Sequence, residues 1–424
     1  MIPMTPSHSY TSSALESRSQ DLSKSTVLAI ITAALGFFVD AYDLLLYNIV
    51  RRASLADFGF SDDQIRTVGV HLLNSQLLGL LFGGILWGVL GDRRGRKSVL
   101  FGSITLYSIA TLANAFVHSV PSYALWRFLA GVGLAGELGA GVTLVSELMS
   151  PRNRGYGTMI VAAVGVLGVV TASLIGDLFP WRYSYAIGGM LGFLLLALRI
   201  GVSESPMFAR ALQTTVARGN FFALFTSKER LRRYISLILV AMPVWYAIGI
   251  LVTFSPELGK ALGLNPAPKS SLALMFYYLA LTFGDLVNGY LSQRLQTRKK
   301  IIAVFMALAM AFSAIYLLFG GLSLAFFYAT CTALGFVSGY WAVFVTVAAE
   351  QFGTNLRATV AVTAPNFVRG LTAILTWLFN LIAAYTDIRN AAGFVGIGTF
   401  VLAATALSFI EETYGKDLDF IEKL

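Results

Sequence analysis

Gly88–Lys97 reads GVLGDRRGRK and closes an apolar run at 69–91 with four bases, Arg93, Arg94, Arg96 and Lys97. Gly289–Lys299 reads GYLSQRLQTRK and closes another apolar run at 270–293, about 200 residues further along. Glu147 precedes Arg154 at the end of one run, and Glu350 precedes Arg357 with the same spacing at the end of another, again about 200 residues apart. These correspondences, all 201 to 203 residues apart, point to a duplicated chain. In a membrane protein such halves face each other around a site at the bilayer midplane.

Working outward from these loops, the rest of the chain is apolar. Of 424 residues, 56% are hydrophobic and 12% charged, whereas soluble domains carry roughly 25% charged residues. Lipid is the solvent such a chain can satisfy. Apolar runs of roughly 20 residues, each long enough to cross ~30 Å of hydrocarbon as a helix, fall at 26–50, 69–91, 98–117, 122–148, 156–178, 183–202, 234–256, 270–293, 300–319, 322–349, 359–385 and 391–411. The expected fold is therefore an all-α polytopic membrane protein of twelve transmembrane helices in two pseudo-symmetric six-helix bundles. The expected units are a tail at 1–25, a first bundle at 26–202, a linker at 203–233, a second bundle at 234–411 and a tail at 412–424.

A net charge of +9 invites a nucleic-acid reading, which fails once the bases are placed. They sit in alternate loops: Arg152 and Arg154 after the fourth run, Lys228, Arg230, Arg232 and Arg233 before the seventh, Arg294, Arg298, Lys299 and Lys300 after the eighth. By the positive-inside rule both termini are cytoplasmic, in an inner or plasma membrane. Arg51 and Arg52 are the main exception. The first 25 residues lack the charged start and short apolar core of a signal peptide, so the first apolar run is expected to stay in place. The lone Cys331 lies in an apolar run and reads as packing. His8, His71 and His118 are scattered, and no nucleophile, metal or nucleotide motif accompanies them, so neither an enzyme nor a cofactor is expected.

Charges at membrane depth cost roughly 2.5–3.5 kcal/mol on insertion scales and need a local reason. Asp40 and Asp43 in DAYDLLLY share one helix face, with Tyr47 one turn on. Two carboxylates this close in low dielectric resist being ionised together, which suits a proton-exchanging site. Arg127 cannot lose its proton and must find an anion, a carboxylate or water. Asn366 and Arg369 are followed at helical spacing by Thr372, Thr376 and Asn380, a polar stripe on an apolar helix. Asp285, with Asn288 and Ser292 on its face, lines the second-half cavity or makes a packing hydrogen bond. Asp177 reads as a residue of the outer mouth. Trp245, Tyr278, Tyr340 and Trp341 contact substrate or anchor span ends. Asp92, Arg93, Arg96, Glu147, Arg154, Glu350 and Arg357 gather at predicted cytoplasmic ends, where an ion-pair network made in one state and broken in the other forms a gate.

Gly88-x-x-x-Asp92-Arg93-x-Gly95-Arg96-Lys97 resembles the loop signature of the major facilitator superfamily. Arg127-Phe-Leu-Ala-Gly131-x-Gly133-x-x-Gly136-Glu137, followed by Glu147, Pro151, Arg154 and Gly155, is similar to its sugar porter and metabolite:proton symporter branches, as are Glu204-Ser205-Pro206 and Glu412-Thr413-x-Gly415-Lys416-x-Leu418. The second-half loop departs from the signature, with Gln293 at the acid position and Gln296 at the glycine. The resemblance implies a rocker-switch carrier with Arg127 facing the cavity near the first span. It also implies a protonation site at Asp40 or Asp43 and a second proton-site candidate at Glu137. Arg127 then either binds an anionic substrate or pairs with one of the aspartates until substrate arrives. With Arg369 it places one permanent positive charge in each half, unless Arg369 belongs to the gate.

The expected function is proton-coupled symport of a small, anionic organic metabolite by a monomer in the lipid bilayer. The alternatives are efflux or antiport of a larger amphiphile, and symport of phosphate or sugar. A non-transporting sensor is disfavoured by the paired intramembrane acids.

Overall fold

The computed structural model describes residues 24–94, 96–137, 141, 154–201 and 221–415. Among them the chain is helical, because a backbone in hydrocarbon must satisfy its own hydrogen bonds. In chain order the long helices of the first half are α1 (Lys24–Asp57), α2 (Asp62–Arg94), α3 (Arg96–Asn114), α4 (Val120–Leu134), α5 (Arg154–Leu178) and α6 (Trp181–Leu198). The second half has α7 (Lys228–Tyr246), the short α8 (Ser255–Ala261), α9 (Ser270–Arg294), α10 (Lys299–Phe319), α11 (Leu324–Val337), α12 (Trp341–Glu350), α13 (Thr354–Ala383) and α14 (Ile388–Ser408).

Nine helices among the described residues are long and apolar enough to cross a membrane. The three remaining expected spans correspond to α3, to α4, whose predicted continuation runs outside the described residues, and to α5, whose apolar stretch is Val164–Leu178. Large apolar side chains such as Phe82, Leu178 and Ile397 point outward, which lipid permits and water does not. Local chemistry sets several helix starts. Ser119, Ser323 and Asp387 each accept a hydrogen bond from a backbone N–H in the first turn that follows.

Three departures from the sequence reading have physical causes. The seventh span starts at Lys228 rather than 234, because the basic end of the expected linker is amphipathic. Arg230 is buried there, and Arg233 Nη1 donates to the Gln351 carbonyl at 2.9 Å. The same span carries Pro243 and continues as a π-helix over Ala247–Val252, as expected where a proline removes a ladder hydrogen bond. The tenth span is broken at Ser338–Tyr340 into α11 and α12.

Helices meet where glycine removes the side chain. A Cβ on Gly131 of α4 would strike the backbone of Gln76 in α2, and one on Gly335 of α11 would strike the backbone of Tyr277 in α9. The two halves meet along two seams, α2 against α13 and α5 against α9.

Candidate functional site

The polar centre is built on α1. Asp40 and Asp43 are both fully buried. Asp43 accepts a hydrogen bond from Thr111 Oγ1 at 2.9 Å and lies 4.0 Å from Nη1 of Arg127. Arg127 also donates through Nη2 to Gln76 Oε1. Its guanidinium stands 5.2 Å from the ring centre of Tyr47 and 5.6 Å from that of Tyr185. A permanent cation is thus held inside the first half by one carboxylate, one amide and two aromatic faces. Tyr47 is fixed by donating to the Gly69 carbonyl at 3.1 Å, and Tyr123 and Tyr185 share a hydrogen bond of 2.8 Å.

Asp40 turns to the other half. Its Oδ2 lies 3.6 Å from Nη1 of Arg369 on α13, and Arg369 is itself buried. Neither carboxylate oxygen of Asp40, and neither Nε nor Nη1 of Arg369, has a hydrogen-bond partner within the protein. The pair is close enough to neutralise both charges and too long to satisfy them. Arg369 also lies 5.7 Å from the ring centre of Trp245, whose indole meets that of Trp341 edge-on at 6.4 Å. Tyr278 lies within electrostatic reach of both Arg369 and Asp40. One turn before Arg369, Asn366 Nδ2 crosses the seam to the Ala135 carbonyl at 2.9 Å.

The remaining predicted residues have contacts of their own. Asp285 accepts the backbone N–H of Ala342 at 3.0 Å and so caps the first turn of α12 beyond the break in the tenth span. Asn288 is fully buried with neither side-chain polar atom partnered. Tyr340 donates to the Val240 carbonyl at 3.2 Å. Glu137 forms a buried ion pair with Arg199 at the end of the sixth span, and Ser103 donates to its other oxygen at 3.4 Å. Asp177 pairs with Lys269 across the halves at 3.8 Å.

Of the gate residues, Glu350 is gripped by Arg298 through two hydrogen bonds of 2.7 and 2.9 Å, and it accepts a third from Thr413 at 2.6 Å, all within the second half. Glu147 and the side chains of Asp92, Arg93, Arg96, Arg154 and Arg357 lie outside the described residues.

Sequence reasoning missed Gln76, Arg199 and Arg298. Gln76 was readable as a polar residue inside an apolar run. Arg199 falls within the expected span 183–202 and was an intramembrane charge by the criterion applied to the others. Arg298 passed as an ordinary topological base.

The model of the Major Facilitator Superfamily matches residues 27–376. A Haemophilus influenzae protein provisionally named a metabolite transport protein is 26% identical, covering 92% of this chain and 97% of its own. The niacin transporter NiaP of Acinetobacter baylyi is 25% identical over 91% of this chain and 94% of its own, and the 3-(3-hydroxy-phenyl)propionate transporter of Escherichia coli is 26% identical over 69% and 72%. Among solved structures, the proton:xylose symporter XylE bound to 6-bromo-6-deoxy-D-glucose superposes with a TM-score of 0.70 at 18% identity, covering 94% of this chain and 98% of that one. That likeness is one of fold. A helical membrane chain with buried charges between its halves, matched by this family over most of its length, belongs to the major facilitator superfamily and is a transporter rather than an enzyme.

Proposed function

We propose that this transporter takes up a small organic anion together with a proton, and that Asp40 and Arg369 carry the coupling. The observation behind this reading is the 3.6 Å Asp40–Arg369 pair, buried between the halves with unsatisfied atoms on both partners. An arginine with free donors and one loose carboxylate is prepared to exchange that carboxylate for another. When the carboxylate of a substrate takes Arg369, Asp40 is left as a lone charge in low dielectric, the costliest state available to it, and a proton relieves the cost. Anion and proton then enter as a neutral set. Departure of the proton on the other side restores the Asp40–Arg369 pair and displaces the substrate.

Arg127 lies 4.0 Å from Asp43 within the first half, which keeps the two aspartates from acting as one dyad. Trp245, Trp341 and Tyr278 give the anion an apolar wall beside Arg369. Relatives named for niacin and for 3-(3-hydroxy-phenyl)propionate fit a ligand with one carboxylate and a flat apolar body. The alternating bases support a reading in which both termini face the cytoplasm, with the chain acting as a monomer in a cell or inner membrane.

The test is accumulation of labelled benzoate and nicotinate in proteoliposomes under an imposed pH gradient. Symport concentrates the label only when the outside is acidic. Accumulation with the reversed gradient indicates antiport, and uptake that ignores the gradient removes proton coupling.

A further inference from the structure

Arg51 and Arg52 break the charge pattern that sets the topology, and the structure gives them a task. They lie about two turns before the end of α1, at the end of the bundle opposite Lys24, where that helix starts, and both reach across to one residue of the other half. Arg51 Nη2 donates to Glu257 Oε1 at 2.7 Å, and Arg52 Nη1 donates to the same oxygen at 3.2 Å. Arg51 is 1% exposed and Glu257 11%. The Arg51 guanidinium lies 4.3 Å from the ring centre of Phe254, also in the second half. More cross-half bonds surround this pair. Ser270 donates to the Asn48 carbonyl at 3.2 Å, Thr376 to Asn74 at 2.6 Å, and Arg66 to Asn380 at 2.8 Å.

Above them opens a cleft of about 690 Å³. Arg52, Asp62, Asp177, Glu257 and Lys260 border it, while Arg51 is buried behind them. The closed end is therefore held by charges with one face in packed protein and the other at a polar cleft. Such a contact is strong enough to bias two states yet can be traded for water as the halves part.

We propose that Arg51, Arg52 and Glu257 form the latch that closes the central site at the end of the bundle where α1 stops. This rests on the chain being a transporter and not on which group holds the proton.

The test uses the full chain in lipid with Cys331→Ser and a reporter, Thr253→Cys. Thr253 is fully buried one turn below Glu257, on the side of Trp245. The rate of reaction with a bulky, membrane-impermeant maleimide reads how often this end opens, with no need for substrate or a pH gradient. Glu257→Gln and Arg51→Glu should each raise the rate about tenfold, as expected when closed-state bias is lost. The exchanged pair Arg51→Glu with Glu257→Arg, made with Arg52→Gln so that no arginine opposes the new one, should return it towards the parent. If Glu257→Gln fails to fold, Arg51→Lys reads the same latch, since it keeps the charge but loses the planar stack on Phe254, and its rate should be intermediate. Unchanged rates in the single variants, or no recovery in the exchanged pair, overturn the latch. A protein that latches as described yet ignores proton gradients removes the coupling scheme alone.

Discussion

Asp40 and Arg369 face each other across the seam between the two halves at 3.6 Å, buried, and neither makes another salt bridge among the described residues. One turn along α1, Asp43 keeps its arginine inside its own half. Two aspartates on one helix face therefore do different work: one joins the halves and the other braces one of them.

It follows that Asp40→Asn should separate exchange from accumulation. The amide preserves size, removes the proposed proton site and leaves Arg369 free for an anion. Counterflow of a transported carboxylate should continue at a rate within a few-fold of the parent, while accumulation driven by a pH gradient should disappear. Measuring both in one proteoliposome preparation checks the assignment, and gradient-driven accumulation in the Asn variant refutes it.

Arg127 should matter for folding as well as for transport. Arg127→Ala leaves Asp43 buried with only Thr111, and breaking a buried pair from one side costs roughly 3–5 kcal/mol. Asp43→Asn combined with Arg127→Gln removes both charges together and should recover most of that loss. Thermal unfolding of the three proteins in one detergent decides it. A double variant no more stable than Arg127→Ala would mean that the pair contributes nothing as a pair.

The residues that paid a penalty for being in lipid were readable without a structure, because a charge in an apolar run has few innocent explanations. Asp40, Asp43, Arg127 and Arg369 stood out for that reason, and the repeat between Gly88 and Lys299 carried the two-half architecture. Pairings were not readable. Nothing in the spacing says that Asp40 rather than Asp43 meets Arg369, since both lie on the same face and the partner is supplied by a helix more than 300 residues away. Asp285 was ambiguous for a related reason: its role as a cap depends on the break at Ser338–Tyr340, and no proline there announces it. Arg51 was visible only as an exception to a charge rule, and its partner Glu257 lay at the end of an expected span, where acids attract no notice.

Glu137 offers a cleaner separation of structure from coupling. It pairs with Arg199 against Gly36 of α1, where an added Cβ would strike both the guanidinium and the carboxylate. Gly36→Ala should therefore cost about 1–3 kcal/mol by overpacking. Glu137→Gln should lower thermal stability by leaving Arg199 without its carboxylate, while the ratio of accumulated to external substrate stays at the parent value in the protein that remains folded. Loss of accumulation at full stability would instead make Glu137 a proton carrier.

Stability at the end of the second half where α9 turns into α10 should depend on pH through Glu412. Glu412 is largely exposed, and the little burial it has raises its affinity for a proton. Hydrogen bonds from Thr297 Oγ1 and from the backbone N–H groups of Arg298, Tyr414 and Lys299 outweigh burial and hold the carboxylate below its ordinary range. An acid whose folded value is depressed lends stability that is fully present above its unfolded value, near pH 4, and is lost as the pH falls through the folded value. Glu412→Gln should thus lower Tm at pH 7. The gap between variant and parent should narrow as the pH drops below about 4, where the parent's own carboxylate is protonated. A gap of constant size from pH 7 to pH 3 would show that Glu412 holds the loop after α9 by shape and not by charge.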